Sequence, residues 1–582
     1  MSAHVGFSIH GLAVAQGIAI GHAHLYFQSS LQVIRYSVPD HLLDAEVARF
    51  DRAVDKVRHE LQELKENVPV GAPPEFAAFL ELHLMILNDD TLSGAPRALL
   101  RQQGCNAEWA LKQQMNSLIE QFMQIEDNYL RERQEDVKQV VERVLKVLMG
   151  QVAPATPTHK ATEDSILVAV DLSPADMLLF KQHPFQAFIT DQGGATSHTA
   201  ILARSLGIPS VVALHHAWPM IREGETLIVD GMSGVVIVNP DAIILSEYRL
   251  RQEQWHLEKR KLSRLRTTRA TTLDGTSIDL WANIESPDDV EHAKKSGATG
   301  IGLYRTEFLF MNRPDLPGEE EQFSAYRRVA QAMRDHVVTI RTLDIGADKS
   351  AESIAQTQSL NPALGLRAIR YCLSEPRLFL TQLRAILRAS HFGHVHLLLP
   401  MLSQVNELKQ TFALLEQARE ELREEMIPFN ERMPVGGMIE VPAAALALPL
   451  FLDKLDFISL GTNDLIQYTL AIDRADDSVA HLYDPLHPAI LQLVFTTIQS
   501  AHRANVPVAV CGEMAGDPIM TRLLLGFGLR TFSMHPAHVP EIKQNILKTS
   551  LSLLSGPVKK ILRTYEPDQL ESLIGNLNRL AM

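Results

Sequence analysis

The second half of the chain, from about Thr271 onward, repeats one pattern: a short apolar strand, a loop and a helix. Such alternation predicts parallel strands joined by helices. Eight repeats in about 300 residues fit a (β/α)8 barrel, whose catalytic groups sit just after the strands. A doubly wound open sheet is the competing interpretation. The predicted strand segments are IDLWANI, GIGLYRTEFLF, VVTIRTLDIG, a segment near ALGLRAIR, HVHLLLPML, VGGMIEVP, FISLGTND and VPVAVCGEM.

The first half divides differently, and the whole is predicted to be a multidomain α/β protein. Residues 1–35 and 150–245 carry short β-branched runs punctuated by glycine, which predict one α/β domain in two parts. Between them, residues 36–149 carry apolar side chains at steps of three and four, which predict a helical subdomain inserted into that domain. Residues 246–270 are highly charged and predict a linker helix before the barrel at 271–582.

Composition excludes several other classes. The net charge of −14 argues against a nucleic-acid binder and leaves room for a basic protein partner, although acidity can simply aid solubility. Three scattered cysteines form no disulfide framework or metal-ligand spacing and indicate a reducing compartment. The N-terminus lacks the features of a signal peptide, and the longest apolar run, near 443–452, is about half a membrane span. We expect a soluble cytoplasmic protein.

One histidine stands out in DQGGATSHTAILARSLGIP, residues 191–209. A predicted strand ends at Thr190, glycines turn the chain, and His198 falls at the start of a short helix. Free backbone N–H groups there favour an added anion and disfavour a protonated imidazole, which keeps a ring nitrogen available for attack on phosphorus. Arg204 could hold a phosphoryl oxygen. A surface or helix-capping histidine is the alternative.

Charged side chains also follow the predicted barrel strands, where their burial is costly unless they are paired or bind an ion. Two carboxylates, Glu440 and Asp464, surrounded by arginines suit a magnesium ion that holds an anionic substrate. Salt bridges at the loop bases are the alternative for any single residue. The other members of this group are Arg305, Glu307, Arg341, Asp344, Asn463 and Arg474.

A cysteine follows the segment that we count as the eighth strand. Cys511, in VPVAVCGEM, could donate a proton at the mouth of a barrel. A buried cysteine is otherwise a small apolar filler.

Taken in order, these motifs resemble the Enzyme I family of the bacterial phosphotransferase system over essentially the whole chain. The matching segments are GGATSHTAILARSLGIPSVV, GIGLYRTEFLFMNR, RTLDIGADK, NPALGLRAIR, MIEVPAA, FISLGTNDLIQYTLAIDR and CGEMAGDP, with YLRERQEDV in the helical region. One departure is Ala195, where some members carry a larger basic residue.

The resemblance implies a function and a set of roles. His198 would take the phosphoryl group of phosphoenolpyruvate and pass it to the histidine phosphocarrier protein HPr, for sugar uptake. Glu440 and Asp464 would bind Mg2+, and Cys511 would donate the proton. The helical subdomain would dock HPr, and the barrel would form a homodimer. The substrate-binding residues implied are Arg305, Arg341, Asn463, Asp464 and Arg474, with Lys349 and Arg367 nearby.

Three other functions compete with this one. An ATP-coupled dikinase or phosphoenolpyruvate synthase would need a nucleotide-binding domain, and the region before His198 has no Walker-type glycine loop and is too short for one. A non-catalytic regulator would have little need of the full set of charged residues. The nitrogen-regulatory branch of the family generally carries an additional N-terminal sensory domain, and this chain starts directly with the phosphotransferase module, so the sugar branch is favoured.

Overall fold

The computed structural model describes residues 6–26, 33–66, 74–123, 128–150, 164–172, 185–193, 200, 203, 207–311, 313, 315–345, 363–473 and 479–579. They divide into two compact units, Met1–Glu258 and Lys259–Met582. Within these ranges, none of the helices combines the length and the hydrophobicity needed to cross a lipid bilayer.

The first unit is built on an eight-stranded sheet with the order β1-β8-β7-β3-β4-β5-β6-β2. Its strands are β1 Phe7–His10, β2 Leu12–Ala15, β3 Ile18–Tyr26, β4 Ser165–Ala169, β5 Phe185–Thr190, β6 Ser210–Val212, β7 Thr226–Asp230 and β8 Val235–Val238. Strands β3 to β6 run parallel and the remaining pairs are antiparallel. The three N-terminal strands pair with strands that follow the helical region.

Helices fill the interval between β3 and β4. They are α1 Leu43–Glu66, α2 Pro74–Asn88, α3 Asp90–Gln103, α4 Ala107–Met123 and α5 Asn128–Leu148. Helix α1 buries Phe50, Val57 and Leu61, which form an apolar seam with the predicted helical spacing. They belong to the same core cluster as Leu167 and Phe188 on one face of the sheet. The helices therefore need the sheet to complete their core.

The described residues of this half of the chain contain two further helices. Helix α6, Ala217–Met220, follows β6, and helix α7, Ala242–Arg264, follows β8. Helix α7 covers most of the charged segment that predicts a linker helix, and none of its side chains is buried.

The second unit is a closed parallel barrel, as predicted. Its strands are β9 Asp279–Ile284, β10 Ile301–Arg305, β11 Val337–Arg341, β12 His394–Leu399, β13 Val435–Ile439, β14 Phe457–Leu460, β15 Val508–Val510 and β16 Thr531–Met534. Each strand pairs with the next, and β16 returns to β9 with Thr531 opposite Asp279. The carboxyl ends of all eight strands therefore lie at one mouth.

Helices cover the outside of the barrel. They are α8 Asp289–Ser296, α9 Glu319–Ala332, α10 Ile369–Ser374, α11 Pro376–Ala389, α12 Val405–Glu424, α13 Pro442–Leu446, α14 Pro449–Leu452, α15 Thr462–Leu470, α16 Pro488–Arg503, α17 Thr521–Gly526, α18 Val539–Leu547, α19 Ser555–Ile561 and α20 Pro567–Arg579. Helix α11 buries Phe379, Leu383 and Ile386 at helical spacing.

One predicted strand is wrong and one strand was missed. The segment near ALGLRAIR has no strand in its described part, residues 363–370, and Ile369 begins helix α10. Leu364 and Leu366 there are about half exposed, so this apolar run is not a core strand. The missing strand is β16, whose four residues are too few for a clear pattern. Cys511 therefore follows the seventh strand, β15, rather than the eighth.

Candidate active site

The ends of the barrel strands place charged side chains together at the mouth. Arg305 and Arg341 are the last residues of β10 and β11. Glu440 directly follows β13, while Asn463 and Asp464 lie in the first turn of α15, just after β14. Parallel strands bring these positions to one side of the barrel, although up to 159 positions separate them in the sequence (305 to 464).

Arg341 forms the centre of a buried ion cluster. One guanidinium nitrogen, Nη2, donates to Glu307 Oε1 at 3.0 Å, and Nη1 lies 2.9 Å from Asp344 Oδ2. Burial would lower the pKa of Arg341, but the surrounding carboxylates of Glu307, Asp344 and Glu440 raise it above its ordinary value. Among the described residues, Arg341 Nε and Glu307 Oε2 have no hydrogen-bond partner, so the cluster keeps one donor and one acceptor unused.

Three carboxylates stand close enough to share a cation. Oxygens of Asp344, Glu440 and Asp464 all lie within 4.8 Å of one another. Burial raises the pKa of Glu440 well above its ordinary value, and the negative charges of Asp464 and Asp344 raise it further. Glu440 is 1% exposed, and the backbone N–H of Met401 donates to its Oε1 at 2.6 Å. Hard oxygen donors in a buried, charge-crowded group fit a divalent cation such as Mg2+.

Close backbone approach makes room for this carboxylate. A Cβ atom on Gly461 would lie 2.7 Å from Glu440 Oε2, and one on Gly512 would lie 1.9 Å from Thr462 Oγ1. Both distances are shorter than atoms can approach without displacement. The glycines of the SLGTND and CGEM segments are therefore part of the architecture of the site.

Arg367 approaches the same cluster from the loop before α10. It donates through Nη2 and Nε to Asp344 Oδ1, at 2.8 and 3.2 Å, and through Nη1 to Tyr468 Oη at 3.1 Å. Tyr468 in turn donates to the carbonyl of Ala363 at 2.6 Å. Burial would raise the pKa of Asp344, but Arg341 and Arg367 hold it below its ordinary value. Asp344 is thus a carboxylate shared by two arginines.

Asn463 and Arg305 are held by partners on neighbouring loops. Asn463 Nδ2 donates to Glu513 Oε1 at 2.9 Å, and its Oδ1 accepts from the Glu513 backbone N–H at 2.8 Å. Arg305 Nη1 donates to Glu285 Oε1 at 2.7 Å, and both of these side chains are 38% exposed. Arg305 is therefore the more solvent-accessible of the arginines that end β10 and β11.

Cys511 lies inside the barrel, next to the ion cluster. It is 3% exposed and packs with Leu303, Leu398 and Met438 in a small apolar cluster. Burial is the main cause that raises the pKa of its thiol to about 11, which keeps it protonated at neutral pH. The Cys511 carbonyl accepts a hydrogen bond from Asn283 at 2.9 Å, which fixes the backbone at this point.

Some predicted residues lie outside the described ranges. These are His198, Lys349 and Arg474, together with Arg204 and Ala195. The described strand β5 ends at Thr190, as predicted before His198. Sequence reasoning in turn missed Tyr468 and Glu513, whose partners lie far away in the chain and leave no local pattern.

The chain is similar to known proteins along most of its length. Residues 259–551 match the family described as PEP-utilising enzyme, PEP-binding domain. Residues 10–133 match its N-terminal domain, and residues 161–234 match its mobile domain. A phosphoenolpyruvate-protein phosphotransferase from Cupriavidus necator is 54% identical over 98% of this chain and 100% of its own length. The chain belongs to the phosphoenolpyruvate-protein phosphotransferase family.

Two further relatives share a smaller part of their sequence with this chain. A phosphoenolpyruvate-protein phosphotransferase from a Bacillus species is 41% identical over 90% of each chain. One from Haemophilus influenzae is 39% identical over 92% of this chain and 93% of its own. Family membership makes the chain an enzyme and confirms the resemblance on which the expected roles depend.

Proposed function

We propose that the protein transfers the phosphoryl group of phosphoenolpyruvate to His198, releases pyruvate, and passes the group to the phosphocarrier HPr. The observation that carries the proposal is the group at the barrel mouth, where Arg341 and Arg367 surround carboxylates that could hold a cation. Arginines recognise carboxylate and phosphate, the two anionic groups of phosphoenolpyruvate, through paired hydrogen bonds. The substrate is thus matched in both charge and chemistry.

The proposed binding site uses the described residues in separate roles. Glu440 and Asp464 would hold Mg2+, which neutralises charge on the substrate's phosphoryl oxygens. Arg341 has an unused donor, Nε, and Arg305 is exposed enough to exchange its partner Glu285 for an anion. Asn463, fixed by Glu513, would present an amide to the substrate. Arg474 and Lys349 join this proposed set through the family resemblance.

Two bonds change in the proposed transfer. Neutral His198 attacks phosphorus in line, so a phosphorus–nitrogen bond forms as the bond to the enol oxygen breaks. The leaving enolate of pyruvate then takes a proton on its methylene carbon from the Cys511 thiol. The pKa of about 11 suits that role, because the thiol carries its proton at neutral pH.

His198 and the barrel belong to different proposed domains, so His198 must visit the barrel and then leave it. We propose the domains 1–35 with 150–245 for phosphohistidine, 36–149 for HPr docking and 271–582 for the barrel. The linker at 246–270 contains most of helix α7 and would carry the hinge. We further propose a cytoplasmic homodimer joined through the barrel domain. The buried, unbonded Cys105, Cys372 and Cys511 are consistent with a reducing compartment.

The test is label transfer from phosphoenolpyruvate carrying 32P. With Mg2+, the wild-type chain is expected to acquire acid-labile phosphate, and His198→Ala is expected to acquire none. The matched control is His59→Ala, which removes a largely exposed histidine of the first unit. Failure of the wild-type chain to take up label, or retention of labelling in His198→Ala, would overturn the proposal.

A second assay addresses the branch of the family. The labelled wild-type protein is mixed with purified HPr or with a nitrogen-branch carrier, and the label on each carrier is followed in time. We expect faster transfer to HPr, which would support a role of the protein in sugar uptake. Preferential labelling of the nitrogen-branch carrier would overturn that assignment.

A further inference from the structure

A fully buried glutamine stands directly behind the ion cluster. Gln382 lies on helix α11, on the outside of the barrel, and is 0% exposed. Its Oε1 accepts from the backbone N–H of Leu343 at 3.0 Å, while its Nε2 donates to Thr306 Oγ1 at 3.1 Å and to Tyr326 Oη at 3.2 Å. One side chain thereby connects the loops that follow β10 and β11.

In the hydrogen bonds around this glutamine, every donor faces an acceptor. Thr306 Oγ1 donates onward to the carbonyl of Arg341 at 2.9 Å, and Tyr326 Oη donates onward to Gln322 Oε1 at 3.1 Å. Reversing the amide of Gln382 would place its NH2 group against the N–H of Leu343, donor against donor. The amide orientation is therefore fixed by its surroundings.

The positions held by Gln382 bracket the ion cluster. Thr306 is the neighbour of Glu307, and Leu343 is the neighbour of Asp344, so the two carboxylates that pair with Arg341 each lie one residue from a Gln382 contact. The Arg341 carbonyl is itself fixed through Thr306. Both members of each ion pair are thus tied, through backbone or a neighbouring hydroxyl, to one buried amide.

We propose that Gln382 is a positioning residue that sets Arg341 and its two carboxylates for substrate binding, an inference that rests on the proposed function of the barrel mouth. Because this amide locates the loops after β10 and β11 together, its loss lets them move independently. Partners that orient binding groups typically change affinity or activity by about 10- to 100-fold. If Gln382 merely filled space in the core, replacing it would change the free energy of unfolding and leave substrate binding unchanged.

The first experiment compares two glutamine variants of the full chain. Gln382→Met keeps volume and removes the amide, and Gln499→Met does the same for a glutamine whose Nε2 donates to the Phe527 carbonyl at 2.8 Å, before β16. We expect Gln382→Met to raise KM for phosphoenolpyruvate about 10- to 100-fold, with a smaller change in kcat. Gln499→Met should keep the wild-type KM. Equal KM values for both variants would overturn the proposal.

A second pair of variants tests the proposal even if Gln382→Met fails to fold. Thr306→Ser keeps the hydroxyl that links Gln382 to the Arg341 carbonyl, and Thr306→Val removes it. We expect Thr306→Ser to retain the wild-type KM and Thr306→Val to raise it. Equal KM values for these two variants would also contradict the proposal.

A readout independent of turnover separates this inference from the proposed function. Hydrogen exchange of peptides covering 337–345 should accelerate in Gln382→Met, because the Leu343 N–H loses its acceptor, and should stay unchanged in Gln499→Met. If the wild-type chain takes no label from phosphoenolpyruvate, the proposed function fails, and this exchange comparison still decides whether Gln382 positions the loop after β11. Unchanged exchange in Gln382→Met would refute it.

Discussion

Two arginines of the barrel unit are buried to almost the same degree but differ in how many of their hydrogen-bond donors are used. The side chains of Arg341 and Arg384 are 10% and 11% exposed, and both pair with several carboxylates. Arg384 lies on helix α11, and all three of its guanidinium nitrogens donate hydrogen bonds to carboxylates. Nε, Nη1 and Nη2 donate in turn to Glu319 at 2.6 Å, Glu421 at 3.1 Å and Glu425 at 2.7 Å.

The difference lies in what each guanidinium leaves unused. Arg384 is saturated by carboxylates that are 23% to 49% exposed, and it joins helices α9, α11 and α12. Arg341 pairs with carboxylates that are only 12% and 3% exposed, and its Nε has no partner among the described residues. Burial and ion pairing alone therefore do not identify a binding arginine. An unused donor next to crowded, buried carboxylates separates the two.

The largest expected effect comes from replacing Arg341 by lysine, with the same replacement of Arg384 as the comparison. Arg341→Lys keeps the charge but loses the planar fork, and we expect kcat/KM for phosphoenolpyruvate to fall about 100- to 1000-fold. Arg384→Lys should stay close to wild type in the same assay. Comparable losses in both variants would show that the two clusters do not differ as described.

A smaller effect, on stability, is expected for Arg384→Met. Removing this cation leaves three glutamates without their shared partner, which should lower the free energy of unfolding by about 1–3 kcal/mol. Denaturant titration measures the loss, and kcat/KM measured under conditions where the variant is folded should not change. A folded Arg384→Met protein with impaired turnover would assign this outer cluster a part in the reaction.

The smallest expected effect concerns the thiol of Cys511. The positive charge of Arg341 lowers the pKa of Cys511, so Arg341→Met should raise it above about 11, and Arg384→Met should leave it unchanged. NMR titration of 13Cβ-labelled cysteine measures this pKa, with Cys511→Ser identifying the signal. If Arg341→Met leaves the pKa of Cys511 unchanged, the charge of Arg341 does not act on this thiol.

The same thiol has a consequence for stability. The folded-state pKa lies above the ordinary value of 9.0, so protonated Cys511 adds stability below about pH 9 that is lost as the pH rises toward 11. Thermal unfolding of the wild type and Cys511→Ser between pH 8 and pH 11 should therefore converge or cross with rising pH. A difference in melting temperature between the two proteins that stays constant over this pH range would contradict the prediction.

Much of this architecture follows from local sequence patterns. The seam of α1 and the apolar strands of the barrel have the periodicities of a helix and of buried parallel strands, so the barrel could be predicted. Arg341 and Glu440 could be found because each sits at the end of such a strand. The segment near ALGLRAIR misled the prediction because apolar residues alone do not make a strand, and Gly365 and Ala368 there have φ of 95° and 52°.

Other parts of the site depend on packing that no local pattern records. Tyr468 meets Arg367 across 101 positions of sequence, and Gln382 meets Thr306 across 76. Its helix carries several polar residues, and sequence alone cannot separate the buried Gln382 from those at exposed positions. Only the folded barrel brings the members of each pair together.

Closure of the barrel also has a consequence for biosynthesis. The last strand pairs with the first, and Thr531 and Asp279 stand about 250 residues apart in the chain. A ribosome that adds about 5–20 residues per second needs roughly 10–50 seconds to make that interval. Until then, β9 and the most recently made strand have unpaired edges. The nascent chain therefore carries two exposed β-edges through most of the synthesis of this unit, the period in which chaperones would have most reason to bind it.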